Sequence, residues 1–274
     1  MSSGPQNFRA SLPVEPPSWD CLQRFNIQFN GLLHLKSPDE ISEPVAASRN
    51  LGSDKQWSDG MMHQHISFLS NNFTSKRIFS RAVIDTFMFR ATVMIPPPDK
   101  LVVVSEDITP MDINPGGINY TAIVGNPNVA ELHLQLHPML DERQGDIITS
   151  AFFVAMKNAP VAEQLYYVVL ELIARAKSMG KFHIRGALTS GTKWTFVAVD
   201  LNPNNDGAEY WVSEEIEFFS SPLIPGASDT DPLLRVREPS LIAAILSTWV
   251  QQSFQEFRED QWFTHYTFMR RGGE

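Results

Sequence analysis

Apolar positions change period along this chain, and each change marks an element. From Ser58, "SDGMMHQHISFLSNNF" sets Met61, His65, Phe68 and Leu69 on one side of a 3.6-residue period, with Ser58 as N-cap. "SKRIFSRAVIDTFMFRATVMI" keeps that period through Ile78, Ala82, Ile84, Phe87 and Phe89, until Pro96-Pro97-Pro98 stops it. Valine-rich "KLVVVSEDI" and "INYTAIVG" predict strands, with a turn at Pro115-Gly116-Gly117. "NVAELHLQLHPML" then alternates. Leu132, Leu134 and Leu136 fall on one side of an extended chain, and Glu131, His133, Gln135 and His137 on the other. It reads as a strand with a polar face. "DIITSAFFVAMKN" stays open between strand and helix.

The most regular helix is "APVAEQLYYVVLELIARAKSMGK". Val161, Leu165, Val168, Leu172 and Ala176 share a face, Pro160 suits the first turn and Gly180 the stop. "HIRGAL" and "KWTFVAVDL" predict two strands around the turn "TSGT", and "EYWVSEEIEF" a further strand. "EPSLIAAILSTWVQQSFQEF" predicts an amphipathic helix opened by Glu238-Pro239. At the other end, residues 1–19 read as a Ser- and Pro-rich arm. "WDCLQRFNIQFNGLLHL" reads as a short helix or strand, and "KSPDEISEPVAASRNLGSDKQ" as a polar loop. The expected division is an arm and loop over 1–57, partly disordered, followed by a domain over 58–274. The element order predicts an α/β fold, a central mixed β-sheet flanked by helices.

Composition narrows the function. At 274 residues and 43% hydrophobic, the chain can bury a large core. Its net charge of −9 counts against a broad nucleic-acid surface, though it leaves room for a local one. A single cysteine, Cys21, excludes an internal disulfide and a thiolate zinc site. With no basic-then-apolar leader and no long apolar run, the expectation is an intracellular protein, nuclear or cytoplasmic, with no membrane span. No P-loop, nucleophile elbow or zinc-hydrolase motif is present.

The stretch "PVAEQLYYVVLELIARAKSMGKFHIRGALTSGTKWTFVAVDL" resembles the PD-(D/E)XK nuclease superfamily, closest to its fungal and Crinkler-type members. In that pattern a helix with an early Gln precedes a strand, a "G-x-L-T-D-G-x-x-W-x-F" hairpin and another strand. Here the hairpin is "GALTSGTKWTF", with Ser190 where Asp is common, Gly191 in the turn, and Trp194 and Phe196 on one strand face. The resemblance spans roughly Ser58 to Phe218 and implies a restriction-endonuclease-like sheet. Active members bear a carboxylate and then "(D/E)-x-K" on a second strand. The acids hold magnesium or manganese, and the lysine orients the attacking water.

On the strand reading, that tripeptide falls on Gln135-Leu136-His137, with Gly116 for the upstream acid. A second alignment uses Glu131-Leu132-His133 with Asp112, keeping two metal-binding carboxylates but no lysine. Glu131, His133, Gln135, His137 and Gln164 are thus the candidate catalytic positions, and Asp112 and Glu131 the candidate metal ligands. The expected function is a degenerate nuclease-like scaffold that binds protein or nucleic acid and needs no cofactor. The alternative is an active magnesium- or manganese-dependent nuclease. Lys76, Arg77, Arg81, Arg185 and Lys193 are candidate phosphate contacts. The tail, with Trp262, Phe263, Tyr266 and Phe268, either packs back or binds a protein partner, a second copy included.

Overall fold

A computed structural model describes residues 19–105, 118–136, 140–157, 161–204, 206–218, 238–258 and 260–267. Among the described residues, nine strands form one mixed sheet in the order β2-β3-β4-β5-β6-β7-β1-β9, with short β8 beside β6. The strands are β1 Ile27–Leu35, β2 Lys100–Ser105, β3 Ile118–Gly125, β4 Ser150–Met156, β5 His183–Thr189, β6 Lys193–Leu201, β7 Ala208–Ser213, β8 Ile216–Glu217 and β9 Phe263–Thr267. Two pairs are parallel, β4 with β5 and β1 with β7; the others are antiparallel. The α/β expectation is met.

Helices cover both faces. α2 (Pro38–Asn50), α3 (Asp59–Asn72), α4 (Lys76–Met94) and α8 (Pro239–Gln251) bury Met62, Phe87 and Trp249 against Phe152, Trp194 and Phe196 of one face. α1 (Trp19–Arg24), α5 (Pro127–Leu136) and α7 (Val161–Ser178) cover the other, packing Val168 and Leu172 on Phe153 and Val197. α6 (Glu142–Ile147) leads into β4. Strands wetted on neither face need continuous apolar runs, and β4 is buried at all seven positions. That explains why "SAFFVAM" lacks alternation.

Three expectations need correction. The domain does not begin at Ser58, because β1 lies inside the sheet between β7 and β9. Residues 38–50 form a helix instead of a loop: Ser37 and Glu40 make a capping box, and Pro38 sits in the first turn. Its thin apolar face, Ile41 and Val45, is enough to dock it. Most consequentially, "PNVAELHLQL" is helix α5. Asn126 Oδ1 accepts the backbone N–H groups of Asn128 and Val129 at 3.0 and 3.1 Å, and Pro127 opens the first turn. Val129, Ala130 and His133 face inward, while Leu134 and Leu136 are 60% and 68% exposed, so the leucine alternation carries no burial.

The C-terminal helix differs in degree. Nearly every position of α8 is buried, because it lies on the sheet beneath α2 and α4. It is a core helix, not an amphipathic one.

Candidate functional site

The helix assignment of α5 separates the residues that alternation had grouped. Glu131 and Gln135 lie on its exposed side and bond to each other at 2.8 Å. His133 points inward, 1% exposed, and burial holds its imidazole below the ordinary range. Burial thus favours the neutral ring, and among the described residues its Nε2 has no hydrogen-bond partner. Spacing of two unites side chains on a strand and divides them on a helix. Asp112, His137, Glu106, Asp107 and the Pro115-Gly116-Gly117 turn lie outside the described residues.

The last strand before the Gln-bearing helix is β4, and its end builds a different site. β4 and β5 run parallel and are joined through α7, so their carboxyl ends open together where open α/β sheets hold ligands. Lys157 follows β4 directly, its N–H donating to Thr189 O at the end of β5 at 2.6 Å. Its Nζ reaches Glu215 Oε2 at 3.0 Å. Lys193, the first residue of β6, reaches the other oxygen of Glu215 at 2.8 Å and Glu217 at 3.4 Å. Register places Lys193 opposite Glu217 of β8. The four side chains are 24–38% exposed, so solvent reaches them.

Each is held by local chemistry. Thr189 Oγ1 takes the Gly191 N–H and donates to Lys193 O, locking the β5–β6 turn. Gly191 has φ of 92°, and a Cβ there would stand 2.9 Å from Ser80 of α4, so glycine is required twice over. Trp194 Nε1 donates to Gly191 O from the buried face. Gln164, 1% exposed near the start of α7, donates to Met156 O at 3.5 Å, and Asn119 accepts the Met156 N–H at 2.6 Å. Gln164 thus supports the strand end that presents Lys157.

The electrostatics are those of a shared counter-ion. Hydrogen bonding to Glu215 raises the Lys193 ammonium. Burial pushes Glu215 up, but hydrogen bonds from Lys193 and Lys157 outweigh it and hold the carboxyl below its usual range. Both shifts favour the charged forms of Lys193 and Glu215.

A divalent ion does not fit the described part of this site. Two residues before Lys157 stands Ala155, fully buried, with no side-chain oxygen to offer. Glu215 and Glu217 are already engaged by ammonium groups. Among the described residues, no three His, Cys, Asp or Glu side chains converge.

Sequence reasoning included Lys193 and Gln164 but missed Lys157, Glu215 and Glu217. One signal was available: Lys157 is the single charged residue between Asp146 and Glu163. Of the other candidates, Arg185 is buried against Asp260, and Trp262 and Phe263 pack into the core. The aromatic part of the tail so far as Phe263 therefore packs back; Phe268 lies outside the described residues. No helix among the described residues is long and apolar enough to cross a membrane.

Fold and site together define an α/β/α sandwich with a solvent-open lysine–carboxylate cluster at the ends of its parallel strands. No protein-family model matches the chain, and no curated protein matches it.

Proposed function

We propose that this chain is a nuclease-like domain, related in plan to the PD-(D/E)XK proteins, that binds without cutting and serves as a scaffold subunit. One observation carries the reading. The strand that leads into the Gln-bearing helix ends in Ala155-Met156-Lys157, which keeps the lysine of "(D/E)-x-K" and replaces its acid with a buried methyl group. Cleavage of a phosphodiester on this plan needs a divalent ion beside the scissile phosphate. Alanine cannot anchor one.

What remains suits anion contact. Lys157 and Lys193 share Glu215, and an incoming phosphate takes its place as counter-ion to one of them. The chain's net charge of −9 keeps such binding weak and salt-sensitive. The ligand class is thus nucleic acid held through its backbone.

The test uses labelled single- and double-stranded oligonucleotides, with magnesium, manganese or a chelator. The expected result is intact oligonucleotide throughout, with binding that ignores the metal, fades with salt and weakens in Lys157→Ala. Metal-dependent cleavage that Lys157→Ala abolishes would overturn the proposal.

A further inference from the structure

The helical hairpin α3–α4 has an apolar face left exposed among the described residues. Met61 and Phe68 lie seven residues apart on α3 and are 46% and 58% exposed. Ile78 and Phe89 on α4 are 56% and 42% exposed, with Phe73 between the helices at 40%. Trp57 joins the two rows, its ring 5.4 Å from His65 of α3 and 5.0 Å from Phe89 of α4. The inward sides of both helices are already satisfied, through Met62, Ile66 and Leu69 on α3 and Val83, Ile84, Phe87 and Met88 on α4. The outer residues therefore contribute nothing to the core.

We infer that this face is the interface between two copies of the chain, related by a two-fold axis across the hairpin. Area is the first argument. At about 200 Å² per large side chain, the five residues expose about 500 Å² of apolar surface per copy. That is near the upper range of patches on monomers, and over half of the about 800 Å² each partner gives to a standard interface. The exposed polar rim, Gln64, Asn71, Asn72 and Lys76, can supply the rest.

Charge is the second. The closed end of the hairpin carries exposed Lys76 and Arg77, while Asp54 and Asp59 stand at the open end, where Lys55 holds Val93 O. A two-fold axis through the middle sets the basic end of one copy on the acidic end of the other. An isologous contact needs that self-complementarity. Ridges of paired helices then interdigitate as a four-helix layer.

Sedimentation of the full chain over a roughly hundredfold concentration range tests this. The expected result is a dimer that dissociates on dilution. Joint substitution Phe68→Glu and Phe89→Glu should weaken it at least about tenfold, with circular dichroism unchanged and melting lowered mainly at concentrations where the wild type is dimeric. Lys76→Glu should weaken the dimer, and adding Asp54→Lys should restore it. A monomer at every concentration, or a dimer indifferent to Phe68→Glu with Phe89→Glu, overturns the inference.

Discussion

Two ionic clusters lie on this sheet, and they differ in water. The first is buried. Arg185 of β5 meets Asp260 at 3.4 Å, with side chains 3% and 0% exposed, and its guanidinium stacks over Trp249 and Phe257 at 5.0 and 5.2 Å. Asp260 also accepts Trp249 Nε1–H and the backbone N–H groups of Trp262 and Phe263. Burial pushes Arg185 down and Asp260 up, against their mutual attraction. The second cluster joins Lys157, Lys193, Glu215 and Glu217 in partial contact with solvent. Similar residue types serve opposite ends. The dry cluster fastens β9 to the core, and its side chains are closed to solvent. The wet one leaves its ammonium groups able to change partner.

The comparison breaks most sharply at Asp260. Asp260→Ala should cost about 3–5 kcal/mol, read by denaturant unfolding, because it strands a buried guanidinium and three donors. Arg90 is a second dry cation, donating to the carbonyls of Ser48, Arg49, Leu51 and Trp57. Arg90→Met should cost about 2–3 kcal/mol and loosen the end of α2 first, visible as faster amide exchange there. Asn126→Ala should cost about 1 kcal/mol by removing the α5 cap. No such loss is expected if residues 127–136 were extended.

The wet cluster should yield the smallest change. Glu215→Gln should cost less than about 1 kcal/mol at pH 7, yet strengthen oligonucleotide binding by releasing the Lys157 ammonium, while Lys193 keeps Glu217. The sign follows from the direction of each shift. A depressed Glu215 stabilises the fold above its unfolded pKa, and that contribution disappears as pH falls through its folded value. A raised Lys193 stabilises below its unfolded pKa and loses that contribution only as pH rises beyond the ordinary lysine range. Wild type and Glu215→Gln should therefore converge in melting temperature only as pH falls below the ordinary glutamate range.

How much of this was legible depended on whether the cause was local. The β5–β6 hairpin was readable because Gly191, Trp194 and Phe196 write their geometry within eleven residues. α3 was readable from Ser58, which does cap it, although Met61 and Phe68 point outward where the spacing had set them with Leu69. α5 was misread because half-buried Leu132 and exposed Leu134 and Leu136 imitate a strand, while the deciding Asn126 cap stands just before them. α2 was missed because its polar sequence and Pro44 imitate a loop. The site was harder still. Lys157 meets Glu215 only across 58 residues of chain, and nothing near either one announces the other.

On the proposed reading, the strand end carrying Lys157 holds no divalent ion. Electron paramagnetic resonance of manganese titrated into the full chain measures this directly. The expected signal stays that of the free aqueous ion, with no gain in melting temperature. A stoichiometric bound signal that Lys157→Glu or Glu215→Gln alters would contradict it.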